Sequence, residues 1–299
     1  MKRKIDIFGK VIGLDPCLLE DSKSFSNLII RRRDDYSVIL FSPARRMITI
    51  TTQSMGRGPD RVLVETIPPV SQPLPSDGWI FRDGAIKIPE LGMIDLSDSP
   101  RTPSATLSPI RDFPGHMRSA LGRATRLIGH ELEFRLKDLA DSLKATLTEA
   151  VELPILKIVG FGPGAFSPGD RALCGIALTG RAFSVGKRLK ADWVGRFNME
   201  IRRFIHRTTW LSAANLRFAV EGRTTATQEK FFQAMEKDFE GSVDLAVENI
   251  YKGIDGVGME FLAGVRTALD IIRSDMHPSF TPENRVILSQ SSFLANGHD

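Results

Sequence analysis

Cysteine is almost missing from this sequence: Cys17 and Cys174 are the only two among 299 residues. Two thiols make no disulfide framework, and no C-x-x-C pair is present to hold zinc. That usage fits a reducing cytosol. No stretch approaches the ~18 consecutive apolar residues of a membrane span. The charged start Met1-Lys2-Arg3-Lys4-Ile5-Asp6 is followed by no apolar signal-peptide core. The chain therefore reads as cytoplasmic, with no membrane partner. A concentrated charge of one sign is lacking too. The net charge is +4 and the pI about 9.1, but acids and bases alternate along the chain. A nucleic-acid partner needs clustered basic residues on one face, so none is expected. The densest run, Arg31-Arg32-Arg33, is followed at once by Asp34-Asp35 and reads as a solvated hairpin tip. No cluster of ligating side chains has metal spacing, so no metal-ligating residue is assigned, and no cofactor is named by the residues.

What is present is ordinary globular material, 42% hydrophobic and 25% charged, enough to build a core without staples. The first hundred residues read as strands. Phe25 to Arg33 and Tyr36 to Phe41 flank an acidic turn, Met47 to Thr52 is β-branched, and Arg61 to Ile67 is a further short run. Trp79 to Ile88 contains Asp83-Gly84, a hairpin signal. Strands at this spacing suggest a small antiparallel barrel or sandwich. Pro68 to Pro75 reads as a loop inside it. Ser97 to Pro114, rich in Pro, Ser and Thr, reads as an exposed linker.

Beyond the linker the period changes. Leu121, Thr125, Ile128, Leu132, Leu136, Leu139, Leu143 and Leu147 predict one long amphipathic helix, with His130 and Glu131 on or beside it. Asp192 is placed to cap a helix with the stripe Val194, Phe197, Ile201 and Ile205. Thr208 or Thr209 is placed to cap another that ends near Gly222. Phe231, Met235 and Phe239 fall on one helical face, and a last helix covers Met259 to Ile272. The fold class expected is α+β: a β-rich N-terminal barrel or sandwich-like domain over 1–112, then a mainly α-helical domain over 113–299.

The segment with most chemical content follows Ile155 to Val159, a short β-compatible run. Gly160-Phe161-Gly162-Pro163-Gly164 leads into Ser167-Pro168-Gly169-Asp170-Arg171. Ser167 sits at an N-cap position, Pro168 at the first helical position and Asp170 at the third. Strand, glycine turn and helix start form an arrangement that can bind anions, because free N–H groups and the positive end of the helix dipole converge there; the same residues equally suit a capped helix after a tight turn, with Asp170 complementing the dipole. Gly164 to Gly169 has P-loop spacing, but Asp170-Arg171 stands where Lys-Ser/Thr is required, and G-x-G-x-x-G fails at Ala165. Neither a Walker NTPase nor a dinucleotide-binding dehydrogenase fits. The string Gly169 to Gly175 is echoed by Gly258 to Gly264, both reading G-x-x-x-L-x-G, a spacing that also suits close helix packing.

These residues carry a resemblance. The stretch Ile158 to Gly175 resembles the glycine-loop motif of a bacterial family that includes a subunit of oxamate carbamoyltransferase, from allantoin breakdown. Gly160, Gly162, Pro163, Gly164, Gly169, Asp170, Leu173 and Gly175 match that motif. His206-Arg207-Thr208-Thr209 with Ser212-Ala213, Leu216, Arg217, Ala219 and Gly222 form a second match, and Gly258 to Gly264 a weaker third. Arg171 and Glu260 replace acidic residues of the family pattern. Their matching place in the echo predicts that they face each other as an ion pair.

The resemblance implies a carbamoyltransferase-like enzyme or enzyme subunit, taking a small anionic metabolite or carbamoyl phosphate and working with other subunits of a hetero-oligomer. In that reading Asp170, Arg171 and His206 are the catalytic candidates, with Arg207 a further cation. Gly162, Gly164, Ser167, Gly169, Thr208, Thr209, Ser212 and Glu260 are the substrate-binding candidates. The alternative is a non-catalytic ligand-binding or assembly subunit that kept the fold and lost part of the site.

Overall fold

The computed structural model of the chain describes residues 8–20, 27–43, 46–53, 57–82, 84–102, 105–107, 109–145, 151–185, 192–252 and 258–276. It opens with β1 (Val11–Leu14), α1 (Cys17–Glu20), β2 (Ile29–Arg33), β3 (Ser37–Phe41), β4 (Met47–Thr52) and β5 (Arg61–Val64), then β6 (Ile80–Arg82), β7 (Ala85–Ile88) and β8 (Gly92–Asp95). The first five strands form one sheet in the order β1-β5-β4-β3-β2, and β6-β7-β8 form a second. Leu14, Val38, Ile50 and Val62 of the larger sheet share one core with Phe81, Ile86 and Ile94 of the smaller, around Trp79. The sandwich-like half of the expectation is therefore seen. The expected uniform antiparallel pairing is not, because β4 and β5 run parallel. The reason lies after Thr52, where Gly58-Pro59 and a left-handed Asp60 (φ 50°) replace a tight hairpin turn.

The hairpin turns expected elsewhere are present. Asp34 Oδ1 accepts from the N–H of Tyr36 and the hydroxyl of Ser37, which closes the β2–β3 connection. Gly84 takes φ 70° between β6 and β7. The arginine run is not a simple solvated tip, because it lies on β2. Arg33 donates to the carbonyls of Gln72 at 2.6 Å, Pro68 at 3.0 Å and Pro69 at 2.5 Å, and so pins the proline loop. The Arg31 guanidinium lies over the Trp210 ring, 4.6 Å from its centre. Arg32 makes a surface pair with Asp34.

The Ser97–Pro114 stretch is not a free linker. Leu14 N–H donates to Pro100 O, Thr102 N–H to Leu14 O, and Ile110 N–H to Ala182 O. Its β9 (Ala105–Thr106) pairs with β10 (Arg223–Thr224). A proline-rich segment keeps enough N–H and C=O groups to zip to its neighbours when they flank it.

The remaining elements are helical: α2 (Gly115–Ala124), α3 (His130–Lys144), α4 (Glu152–Ile158), α5 (Pro168–Val185), α6 (Trp193–Phe204), α7 (Trp210–Glu221), α8 (Ala226–Lys237), α9 (Glu240–Tyr251) and α10 (Gly258–Met276). The single long helix expected from Leu121 onward is two. Thr125 turns its hydroxyl onto Leu121 O at the end of α2, and Gly129 starts α3 in an extended conformation. Leu147 lies outside the described residues. Phe239 also leaves its expected face and is 71% exposed. Asp238 stops α8 in the left-handed region and spends its carboxylate capping the N–H groups of His116 and Met117 on α2. The caps at Asp192 and Thr209, and the left-handed Gly222, occur as expected.

At the centre α5 crosses α10. A Cβ on Gly264 would sit 1.9 Å from Ala172 O, and one on Gly175 would sit 2.3 Å from Phe261 O. The echoed glycines are thus the two contact points of one close crossing, each helix offering a gap to the backbone of the other. The sheet meets the helices at Phe41, Met47, Ala214 and Phe218, and through Arg223, whose guanidinium reaches Asp15 at 2.5 Å and Asp60 at 2.8 Å.

Candidate functional site

The residues before the glycine loop form α4, not a strand. Val151, Pro154, Ile155 and Ile158 are the buried positions. Their spacing is that of one helical face, and a short apolar run leaves the two periods unresolved. The chain leaves α4 through Gly160 (φ 71°), Gly162 (φ 89°) and Gly164 (φ 103°), all in the region that disfavours a Cβ. Gly169 is required for space instead: a Cβ there would lie 2.1 Å from Ile158 O.

Helix α5 starts as its sequence indicates, with Ser167 Oγ accepting from Asp170 N–H at 3.2 Å. The N–H groups of its first turn are all engaged, however. Ser167 N–H goes to Ser212 Oγ at 3.1 Å, Gly169 N–H to Phe161 O, and Arg171 N–H to Ser167 O. Pro168 has none to give. The Asp170 carboxylate fills the bend itself. It is 0% exposed and accepts from Gly160 N–H at 2.9 Å, from Ser167 Oγ–H at 2.6 Å and from the hydroxyl of Thr208. An incoming anion meets a buried negative charge at that point rather than open donors.

The structure brings the loop and the Thr208–Ser212 segment together. Beyond the Thr208 and Ser212 contacts, Thr209 donates to Ala165 O and accepts from Ser212 N–H. His206 and Arg207 are exposed on a 3₁₀ turn, Ile205–Arg207. Arg171 and Glu260 form the expected ion pair at 3.2 Å. That pair ties α5 to α10, and Arg171 also lies 5.6 Å over Phe166. Cys174, one turn beyond Asp170, is buried. Burial, and then the Asp170 charge, push its thiol well above the ordinary range, so it is a neutral packing group and not a nucleophile. Among the described residues no group of His, Cys, Asp and Glu is placed to hold a metal.

What stays open is the tip of the loop. Gly162 to Ala165 are exposed, and no acceptor among the described residues meets the N–H of Gly162, Gly164 or Ala165. Ala165 and Thr209 border a cleft of about 310 Å³ whose other wall is Arg31, Ile39, Phe41 and Trp210. Arg31 has no carboxylate partner among the described residues. Neither Arg31 nor Trp210 stands out in the sequence. Arg31 is one member of a charged run, and Trp210 is the residue after a cap; only the docking of β2 against α7 makes them neighbours.

Residues 158–269 match the model of a protein family described as oxamate carbamoyltransferase subunit AllH. The match names the same family as the resemblance read from the residues and supports membership in it over this stretch. The matched stretch starts at the end of α4 and runs into α10, so it takes in the loop, the Thr208–Ser212 segment and the α5–α10 crossing. Comparison with curated proteins and with solved structures gave no match.

Proposed function

We propose that this chain is a subunit of a carbamoyltransferase-type enzyme that binds a small anionic substrate, carbamoyl phosphate being the first to test, at the exposed tip of the glycine loop. The observation that carries the reading is the pairing across the cleft. Ala165, whose N–H meets no acceptor among the described residues, lines the cleft together with Arg31, whose guanidinium lies over the Trp210 ring. Transfer of a carbamoyl group passes through a tetrahedral centre with a developing oxyanion and releases phosphate. It needs oriented donors and positioning more than covalent chemistry. Gly162, Gly164 and Arg31 serve as donors, and His206 and Arg207 add basic groups beside Thr208. Asp170 acts as a positioning residue that holds the bend open at its tip by filling it at its base. The reading puts the chain beside other subunits, since the matched family is described as an oxamate carbamoyltransferase subunit, and assigns it to allantoin breakdown. It also assigns the two cores to two domains, 1–112 and 113–299.

A second reading, a ligand-binding or assembly subunit without catalysis, is favoured by one observation: the helix-start donors are consumed internally around a buried Asp170. Calorimetry with carbamoyl phosphate, together with phosphate release measured with the chain alone and with candidate partner subunits, separates the two. Arg31→Ala and Gly164→Val are expected to weaken binding at least tenfold while circular dichroism stays unchanged. Wild-type affinity in both variants defeats the loop-tip site. Binding without turnover in every assembly selects the non-catalytic reading.

A further inference from the structure

The loop-tip cleft is larger and more apolar than carbamoyl phosphate requires. At roughly 10–15 Å³ for each water-sized occupant, its space of about 310 Å³ has room for about 20–30 non-hydrogen atoms, and carbamoyl phosphate has about eight. The surplus is walled by Ile39 and Phe41 of β3 and by Trp210 and Leu211 of α7. Ile39 and Phe41 are two apart on one strand and so share a face. Trp210 tilts against Phe41, with ring centres 5.3 Å apart.

Polar groups on the cleft are few. The Thr209 hydroxyl is already spent on Ala165 O and Ser212 N–H. What remains is Ala165 N–H and two adjacent arginines. Neighbouring residues of a regular strand point to opposite faces, yet Arg31 and Arg32 both border the cleft. The cause is a bulge in β2: Ile30 pairs with Leu40 and Arg32 with Ile39, which leaves Arg31 as the extra residue. The bulge aims Arg31 at the Trp210 ring. A guanidinium already settled on a π-face has less side-chain freedom to lose when a ligand binds. The acids nearby are engaged elsewhere. Asp34 pairs with Arg32 at 3.4 Å, and Asp35 acts on Arg33. Asp170 lies buried behind the bend, bonded to Gly160, Ser167 and Thr208.

We propose that the cleft takes an amphiphilic organic acid, its carboxylate at Arg31 and Ala165 N–H and its apolar body along Ile39, Phe41 and Leu211. This deepens the reading of the loop-tip cleft as the ligand site, and rests on it, by naming the class of ligand bound there besides carbamoyl phosphate. The test is a fluorescence titration of the full chain with acetate, butyrate and hexanoate, and with 1-hexanol as the uncharged body. Trp79 and Trp193 are 0% and 1% exposed, so a saturable change reports Trp210. Each buried methylene strengthens binding about fourfold, so with half its chain covered hexanoate is expected to bind at least about tenfold tighter than acetate. It is also expected to bind at least about tenfold tighter than 1-hexanol, a preference that Arg31→Gln erases. Leu211→Ser is expected to flatten the length series while circular dichroism stays unchanged. The wild-type series decides the matter even where a variant fails to fold. The proposal is overturned if hexanoate binds no tighter than acetate, if 1-hexanol binds as tightly as hexanoate, or if folded Arg31→Gln keeps the preference for the acid. Calorimetry with carbamoyl phosphate on the same preparation separates the two readings. Carbamoyl phosphate binding without a length series ends this proposal alone, and a length series without carbamoyl phosphate binding supports it and removes carbamoyl phosphate from the cleft.

Discussion

Replacing Asp170 by Ala tests whether the glycine bend is held by its own carboxylate. The side chain is fully buried and takes donors from Gly160, Ser167 and Thr208. Hydrogen bonds to a charged acceptor are worth about 1.5–3 kcal/mol each, and a buried donor left without an acceptor costs about 1–3 kcal/mol. The two hydroxyls can rotate to other acceptors, and the carboxylate's own desolvation cost is recovered. The backbone N–H of Gly160 has no such freedom. A net loss of about 3 kcal/mol follows, which lowers the melting temperature by roughly 6–12 °C. Asp170→Asn keeps the shape and one oxygen for Gly160, while its NH₂ faces hydroxyls able to turn and accept. Its loss is smaller, about 1–2 kcal/mol. Both variants are measured by calorimetric melting beside carbamoyl phosphate binding, and binding is expected to fall in step with stability. An Asp170→Ala chain that melts with wild type and loses only activity refutes the reasoning, because that is how a reacting acid or base behaves and not a group that builds the loop.

Three further outcomes follow from the packing. Gly264→Ala places a Cβ 1.9 Å from a backbone oxygen of α5. It is expected to cost about 1–3 kcal/mol or more in urea unfolding, and an unchanged midpoint would mean a looser crossing. Arg223→Met leaves Asp15 and Asp60 buried without their main cation and is expected to cost about 3–5 kcal/mol at neutral pH. Burial already raises the Asp60 carboxyl above its usual range, against the pull of Arg223. Without that pull the folded carboxyl binds a proton still more readily than the unfolded one, so the variant loses stability as pH rises and its deficit narrows as pH falls. A deficit independent of pH counts against this account. Cys174 is expected to resist a thiol reagent at about pH 8 in the native chain and to react only after unfolding; rapid native labelling at that position, located by mass spectrometry, contradicts it.

Much of the local structure was legible because it is written in neighbouring residues. Ser167-Pro168 and Asp170 start α5, Thr209 starts α7, Gly222 stops it, and Asp34 turns the β2–β3 hairpin. Even one long-range contact could be read: the shared register of Arg171 and Glu260 in two glycine-spaced helices led to their ion pair. The misreadings have a common source. Ile155 to Val159 is too short for its period to separate helix from strand. Thr125 and Asp238 carry the helical pattern but break the helices, the first by bonding back to Leu121 and the second by capping a helix far along the chain.

By itself the sequence determined the α+β character, the caps, the hairpins and the resemblance of the loop, since propensity and capping depend on residues within a few positions. Only the tertiary structure decided where the loop's amides go. Ser167 N–H ends on Ser212, which lies 45 residues further along the chain, and Asp170 occupies the space where an anion was expected. It also decided that Arg31 and Trp210 meet across the open tip. A polar group binds a ligand only if folding leaves it without a partner, and that remainder is fixed by packing between distant segments.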